Sequence, residues 1–245
     1  MGTEFFILAA AGAAIGGLVQ GLSGFAFSMI AMSVWVWVFD PVLAAVLSVF
    51  GALLGQTVGI ASVQRDLRLP VIWPFLVGGL VGMPIGFLLL PHMNILYLKL
   101  GLGTLLVVWC PAMLFSGKLP QIRFGGRWLD ALVGVGGGIA GVLAGLSGAL
   151  PALWSLLRNF DKDTQRVLTQ YFNLIILGLT AIIYSVTGVV TRPMLPLLAT
   201  VLLVLVVPTF IGAQWYKTIN EQLFRRIVLV LLTLSGATLL LAVWV

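Results

Sequence analysis

Apolar residues occupy the chain in eight long blocks, which short polar segments separate. Six of the blocks are 21–24 residues long, and a helix of that length crosses the hydrocarbon core of a bilayer once. These six blocks are residues 41–63, 70–90, 95–115, 164–187, 193–216 and 221–244. The pattern therefore predicts an all-α polytopic membrane protein.

The other two blocks, residues 5–38 and 127–158, are too long for a single crossing. A continuous helix of that length would reach roughly 50 Å, whereas the hydrocarbon core is about 30 Å thick. The sequence Gly-Leu-Ser-Gly interrupts each block near its middle, at residues 21–24 and 145–148. We therefore expect two broken-helix hairpins that turn back at these segments, with arms of about 16 residues, or roughly 24 Å, each.

The two interrupted blocks are similar in sequence. When residues 12–24 are shifted by 124 positions onto residues 136–148, 7 of the 13 positions are identical. The similarity predicts an internal repeat in which each half contains one hairpin and three transmembrane helices. The first repeat spans residues 1–115 (hairpin 5–38, helices 41–63, 70–90 and 95–115), the linker spans 116–126, and the second repeat spans 127–245 (hairpin 127–158, helices 164–187, 193–216 and 221–244).

The amino-acid composition excludes several classes of protein. Hydrophobic residues make up 61% of the chain and charged residues only 8%, and the mean hydropathy is +1.17. Because an ordinary soluble domain carries about 25% charged residues, a soluble enzyme and a disordered chain are excluded. The formal net charge of +6 would suggest a nucleic-acid partner in a soluble protein. In this chain we attribute it to the orientation of helices in the lipid bilayer, and no nucleic-acid partner is expected.

The distribution of Lys and Arg predicts the topology, because cytoplasmic loops carry an excess of both. If each long block were one tilted span, the 13 basic residues would divide 6 against 7 between the two sides. With two hairpins they divide 11 against 2, and only Lys99 and Arg192 are extracytoplasmic. The cytoplasmic set is Arg65, Arg68, Lys118, Arg123, Arg127, Arg158, Lys162, Arg166, Lys217, Arg225 and Arg226. Each repeat then crosses the membrane an odd number of times, so the repeats have inverted topology, the linker is cytoplasmic and both termini are extracytoplasmic.

The two interruptions are the candidate binding site. Glycine permits a tight turn, serine supplies a hydroxyl, and a helix that restarts after the turn would present free N–H groups and a partial positive charge. Two such ends near the middle of the bilayer would bind an anion without any fixed cation. The candidate substrate-binding residues are Gly21, Ser23 and Gly24 with the preceding Gln20, and Gly145, Ser147 and Gly148. The alternative is that these glycines only allow close helix packing.

Two further polar residues, Gln170 and Asn173, follow the second hairpin inside an apolar block. Polar groups at such depth either line a pathway or hydrogen-bond to a neighbouring helix, and the sequence leaves both readings open. No carboxylate lies at the centre of a block, so no proton relay is evident. The sequence also contains no catalytic triad, metal-ligand set or phosphate loop, so we expect no enzyme activity, no metal and no cofactor.

The segments Gly17-Leu-Val-Gln-Gly-Leu-Ser-Gly24 and Gly141-Val-Leu-Ala-Gly-Leu-Ser-Gly-Ala-Leu-Pro151 resemble those of the sulfite exporter TauE/SafE family of prokaryotic membrane proteins. The resemblance extends over nearly the whole chain. It implies an inner-membrane protein that exports small sulfur-containing or organic anions, such as sulfite and sulfonates. One departure is Phe27, which stands in the first copy where Pro151 stands in the second.

Three hypotheses remain at this stage. The first is a secondary transporter whose two repeats rock or slide to alternate access to an anion between the interruptions. The second is a passive anion channel, and the third is a membrane scaffold that transports nothing. The transported anion, the coupling ion, the direction of transport and the existence of a homodimer stay open.

Overall fold

The computed structural model describes residues 2–35, 38–62, 69–89, 95–115, 126–241 and 243. This part of the chain consists of ten α-helices and one 3₁₀ turn (Arg192–Met194), with no strand. The helices are α1 (Thr3–Ser23), α2 (Phe27–Trp35), α3 (Pro41–Ser62), α4 (Leu69–Leu89), α5 (Ile95–Phe115), α6 (Gly126–Ala144), α7 (Ala149–Leu157), α8 (Lys162–Val186), α9 (Leu195–Thr218) and α10 (Glu221–Leu241). Among the described residues, seven helices are long and apolar enough to cross a membrane. The predicted all-α membrane protein is thus confirmed.

The first long block turns back on itself. A Cβ atom on Gly16 of α1 would lie 3.1 Å from the ring of Phe27, and one on Gly12 would meet Trp35. Since lower numbers in α1 face higher numbers in α2, the two helices are antiparallel neighbours.

The second long block turns back in the same way. A Cβ atom on Gly141 of α6 would lie 2.9 Å from Cβ of Ser147, and one on Gly136 would meet Leu150 of α7 at 2.7 Å. Helices α6 and α7 are therefore also antiparallel, and each interruption is the turn of a helical hairpin.

The arms of these hairpins differ in length from the expectation of about 16 residues each. Helices α1 and α6 contain 21 and 19 residues, whereas α2 and α7 contain only nine each. At 1.5 Å per residue the long arms measure roughly 30 Å and the short arms about 14 Å. The first turn comes late because the chain stays helical through Ser23, so only residues 24–26 form the turn.

The long arm of each hairpin packs on a helix of the other half of the chain. Helix α1 contacts α9, and α6 contacts α4. Glycines bring the backbones together: a Cβ atom on Gly21 would lie 2.0 Å from the carbonyl oxygen of Thr209, and one on Gly78 would lie 1.8 Å from that of Ala131. Such close approach gives helices in lipid extensive van der Waals contact. In this packing each hairpin is held by the opposite half.

Equivalent helices of the two halves run in opposite directions where they meet. In α3 and α8, Gly59 faces Gln170 and Leu53 faces Gly178. In α5 and α10, Gly103 faces Leu240 while Leu106 faces Gly236. Both pairs are therefore antiparallel, whereas α1 and α9 are parallel because Gly17 faces Leu205 and Gly21 faces Thr209. Residues 116–125 of the expected linker lie outside the described residues.

Candidate functional site

The first hairpin turn is built by Gly24, which ends α1 with a φ of 86°. Its N–H donates to the carbonyl oxygen of Gln20 at 2.7 Å, which closes the last turn of the helix. A positive φ of this size is costly for any residue with a Cβ atom, so glycine is required here. A Cβ atom on Gly24 would also lie 3.3 Å from Cγ of Arg166 and 3.4 Å from Cγ of Gln170 on α8.

The backbone amides that follow this turn are already hydrogen-bonded within the chain. The Ser23 hydroxyl oxygen accepts from the N–H groups of Phe25 at 3.4 Å and Ala26 at 3.2 Å. The N–H of Phe27 donates to Oε1 of Gln20 at 3.0 Å. The expectation that these amides are free to bind an anion is therefore wrong for the first residues after the turn. Ser23 and Gln20 act here as helix caps.

Gly21 differs from its predicted role as well. It is helical and buried within α1, and its missing side chain makes room for the Thr209 carbonyl group of α9. The packing alternative therefore holds for this glycine, although Gly24 and Gly145 occupy true turns. Gly21 contributes its carbonyl oxygen to the site, and this oxygen accepts a hydrogen bond from α8.

The second hairpin turn is built by Gly145, with a φ of 69°, and continues through Gly148. The Ser147 hydroxyl donates to Oδ1 of Asn173 at 2.6 Å, and both side chains are buried. Asn173 lies near the middle of the 25-residue helix α8. Pro151 falls in the first turn of α7, where the missing N–H costs nothing.

The two turns are in direct contact. A Cβ atom on Gly148 would lie 2.8 Å from Cβ of Phe25, which belongs to the first turn. It would lie 2.7 Å from the side-chain nitrogen Nδ2 of Asn173. Phe25 and Leu146 also belong to one buried apolar cluster. The fold thus brings residues of both interruptions together on the central part of α8.

A buried cation lies at the first turn, and the sequence analysis missed it. Arg166 is completely buried, and its guanidinium donates to the carbonyl oxygens of Gly21 at 2.8 Å and Leu22 at 3.0 Å. It also lies over the ring of Tyr216, 4.0 Å from the ring centroid. The expected site without a fixed cation is therefore wrong at this turn. A positive charge held in a buried environment attracts anions more strongly than the same charge in water.

Arg166 belongs to a set of polar residues on one face of α8. Each of them has another member three or four positions away, as neighbours on a helix face do. The set, here called the α8 stripe, consists of Lys162, Gln165, Arg166, Thr169, Gln170 and Asn173. This spacing was the signal that could have placed Arg166 with Gln170 and Asn173 before the structure was known.

Two carboxamide groups near the first turn, those of Gln20 and Gln170, have buried nitrogens with no hydrogen-bond partner among the described residues. Both lie along the glycine face of α3. A Cβ atom on Gly55 would lie 3.5 Å from Nε2 of Gln20, and one on Gly59 would lie 2.9 Å from Nε2 of Gln170. Leaving a buried donor without a partner costs about 1–3 kcal/mol, so these amides are suited to bind a ligand that supplies acceptors.

The nine predicted residues thus have different roles. Gly24, Gln170, Ser147, Gly148 and Asn173 meet where the turns contact α8, and Gly145 forms the second turn against Ser48 of α3. Gln20 and Ser23 cap the helix after the first turn, and Gly21 packs on α9. Within the described ranges, no group of three or more His, Cys, Asp or Glu residues could hold a metal ion.

Comparison with known proteins gives one match. The family model described as "Sulfite exporter TauE/SafE" matches residues 8–239 of the 245-residue chain. No curated protein and no solved structure is similar enough to count as a match. Because this match covers most of the chain and includes both hairpin turns, the chain belongs to the sulfite exporter TauE/SafE family, which is a family of membrane transporters and not of enzymes.

Proposed function

We propose that the chain is a secondary transporter that exports small sulfur-containing or organic anions, such as sulfite and sulfonates. The anion binds between the two hairpin turns near the middle of the bilayer. The observation that carries this proposal is the contact of both turns on α8, where Phe25 of the first turn meets Gly148 of the second. Non-helical backbone at membrane depth persists where it lines a cavity or is buried in protein, and in transporters it often forms the binding site.

The side chains around the turns suit an oxyanion. Arg166 supplies a positive charge, and the amide nitrogens of Gln20 and Gln170 supply N–H donors. Neither turn carries a carboxylate, and the carboxylate in the first turn of α8, that of Asp163, accepts a hydrogen bond from the Tyr216 hydroxyl at 2.6 Å. Sulfite, sulfonates and carboxylates each present two or three acceptor oxygens, which amide and guanidinium donors can bind together.

The proposal includes an inverted repeat in the inner membrane, with both termini extracytoplasmic. The antiparallel pairs α3–α8 and α5–α10 support it, because these helices are equivalent in the two halves. Single cysteines can test the topology once the one native cysteine, Cys110, is replaced by alanine. A membrane-impermeant thiol reagent added to intact cells should label Gly2→Cys and Thr187→Cys. Labelling of Gly2→Cys only after cell lysis would contradict the topology.

The tight backbone contacts suggest which helices move together during transport. Helix α1 is fixed to α9 by Gly21, and α6 is fixed to α4 by Gly78. We therefore propose that α1, α2 and α9 form one moving unit and that α4, α6 and α7 form the other. This replaces the simpler idea that one sequence half moves against the other, since each hairpin is held by the opposite half.

Transport is tested with purified protein in proteoliposomes and ³⁵S-labelled sulfite, together with a panel of short sulfonates and organic acids. Ser147→Ala and Asn173→Leu should each reduce saturable uptake, because both remove the hydrogen bond between the second turn and α8. Thr180→Val is the matched control: Thr180 is buried on the same helix, and its hydroxyl donates to the Ile176 carbonyl oxygen one turn earlier in α8.

Each alternative function has its own outcome in this experiment. An ion flux far above carrier rates, without saturation, would indicate a passive channel. Silence of the wild-type protein toward every anion in the panel would indicate a scaffold. Full activity of Asn173→Leu would remove the proposed binding site while leaving the transporter assignment in place.

A further inference from the structure

A cavity lies at one end of the bundle, and neither Gly-Leu-Ser-Gly segment contributes a residue to its lining. It has a volume of about 290 Å³ and is formed by the end of α7, the start of α8 and the start of α10. We infer that this cavity is a second binding site for small anions, which loads the anion before it reaches the turns. The loading role rests on the proposed transport function, whereas anion binding in the cavity does not.

The cavity contains a buried donor without a partner. Gln165 lines it and is only 2% exposed, yet its side-chain amide nitrogen makes no hydrogen bond to any residue that the structure describes. Lys162 lines the same cavity, and its ammonium group donates to the Ile219 carbonyl oxygen at 2.8 Å. Because an ammonium group can donate three hydrogen bonds, Lys162 can also donate to a ligand. Asn159 and Gln222 add two more carboxamide groups to the lining.

One carboxylate, that of Asp161, is also part of the lining. It caps α8, because its oxygens accept from the N–H of Thr164 at 2.9 Å and from the Thr164 hydroxyl. These bonds orient its negative charge toward the helix start, where the helix dipole stabilises it. The donors that remain for a ligand are an ammonium group and carboxamides. Together with the small volume, they fit a compact oxyanion such as a sulfonate or carboxylate with few carbon atoms.

The cavity connects to the hairpin turns through Tyr216 and the α8 stripe. The Tyr216 ring contacts both cations: Nζ of Lys162 lies 5.2 Å from the ring centroid and Cζ of Arg166 lies 4.0 Å from it. Beyond Arg166 the stripe continues through Gln170 to Asn173 at the second turn. Gly24 lies against Arg166 and Gln170, so the first turn covers the stripe between the cavity and Asn173. An anion in the cavity therefore lies at the start of the α8 stripe, which leads to the two hairpin turns.

The test measures anion binding without transport. Gln222→Cys is made in a Cys110→Ala background, because Gln222 lines the cavity and is exposed. The purified protein in detergent is then treated with a sulfonate-bearing and a trimethylammonium-bearing methanethiosulfonate reagent of similar size. Electrostatic attraction should make the anionic reagent react about tenfold faster at Gln222→Cys, relative to the same ratio at the exposed control position Thr187→Cys.

Protection by a ligand gives the second readout. Sodium methanesulfonate should slow the labelling of Gln222→Cys more than sodium chloride at equal ionic strength, and it should leave Thr187→Cys unaffected. Lys162→Gln and Gln165→Leu should each abolish the protection, with size-exclusion profiles used to select variants that fold. Two different substitutions keep the test decisive if one of them does not fold.

The outcomes separate this inference from the proposed function. Protection that persists in both variants, or that never occurs in the parent protein, would overturn the cavity as an anion site even if sulfite transport is intact. Protection without any transport in proteoliposomes would support the anion site and count against the proposed function. Loss of protection together with a raised KM for transport in Lys162→Gln would support the loading role, whereas an unchanged KM would overturn it.

Discussion

Arg166 donates a hydrogen bond from Nη2 to the carbonyl oxygen of Gly21 at 2.8 Å, although the two residues are 145 positions apart in the sequence. Gly21 belongs to the last turn of α1, whose carbonyl groups carry the negative end of the helix dipole. That turn contains no basic residue of its own. The guanidinium of α8 therefore stabilises the end of α1 and fixes the first hairpin turn against the second half of the chain.

Replacement of this cation should weaken the fold as well as transport. Arg166→Met removes two hydrogen bonds from a charged group, so we expect the free energy of unfolding to fall by about 2 kcal/mol. Arg166→Lys keeps the charge but loses the two-pronged geometry, so its loss should be smaller. Denaturation of the purified protein in detergent measures the stability loss of each variant. Arg192→Met, at an exposed position, is the control, and an equal loss in that variant would contradict the assignment.

The glycine contacts between α1 and α9 predict a strong effect of added volume. Gly21→Ala would place a Cβ atom 2.0 Å from the Thr209 carbonyl oxygen, so the two helices must separate. We expect a loss of about 3 kcal/mol in stability, at the upper end for overpacking. Gly101→Ala in α5 is the control, since no heavy atom of the described part of the chain lies within 4 Å of its added Cβ. Thermal unfolding should show little change there, and similar losses in both variants would exclude close packing as the cause.

The stability cost of a positive φ angle can be measured separately from the role of the second hairpin turn in transport. Gly145→Ala and Gly188→Ala both force alanine into a left-handed conformation, at φ values of 69° and 77°. Each should lose about 1–2 kcal/mol of stability. Of the two, Gly145 is the crowded one, since its added Cβ would lie 3.0 Å from the Ser28 hydroxyl oxygen, whereas no described residue lies within 4 Å of an added Cβ on Gly188. Sulfite uptake should therefore fall in Gly145→Ala and stay normal in Gly188→Ala.

The two serines of the repeated motif should behave differently. Ser23→Ala removes a helix cap, so we expect a stability loss of about 1 kcal/mol with an unchanged KM for sulfite. Ser147→Ala removes the bond to Asn173 and should raise KM about fivefold, which corresponds to roughly 1 kcal/mol of binding free energy. Unfolding and uptake measured on both variants test this. Identical behaviour of the two would show that the motif acts symmetrically.

For two of the apolar blocks, the predicted bounds lie within two residues of the observed helix bounds. The predicted span 164–187 is α8 (Lys162–Val186), and the predicted span 193–216 is largely α9 (Leu195–Thr218). The family was also identifiable from the repeated Gly-Leu-Ser-Gly segments. These properties are local, because the length of an apolar run and the glycines that interrupt it are set by neighbouring residues and the thickness of the bilayer.

The roles of individual residues within the repeated motif were decided by the tertiary structure. Gly21 and Gly145 are equivalent in sequence, yet one packs on α9 inside a helix and the other forms a turn. An arginine near the start of an apolar block is compatible with a cytoplasmic surface, where the charge pattern places Arg166. Its burial depends on carbonyl groups and an aromatic ring that distant parts of the chain supply.

The sequence by itself determined that this is a helical membrane protein with two interrupted blocks, because the free energy of placing a segment in lipid depends on that segment alone. Only the tertiary structure decided which charges, amides and backbone groups meet at the interruptions. Those contacts join residues far apart in the chain, and their free energy exists only when the helices are packed.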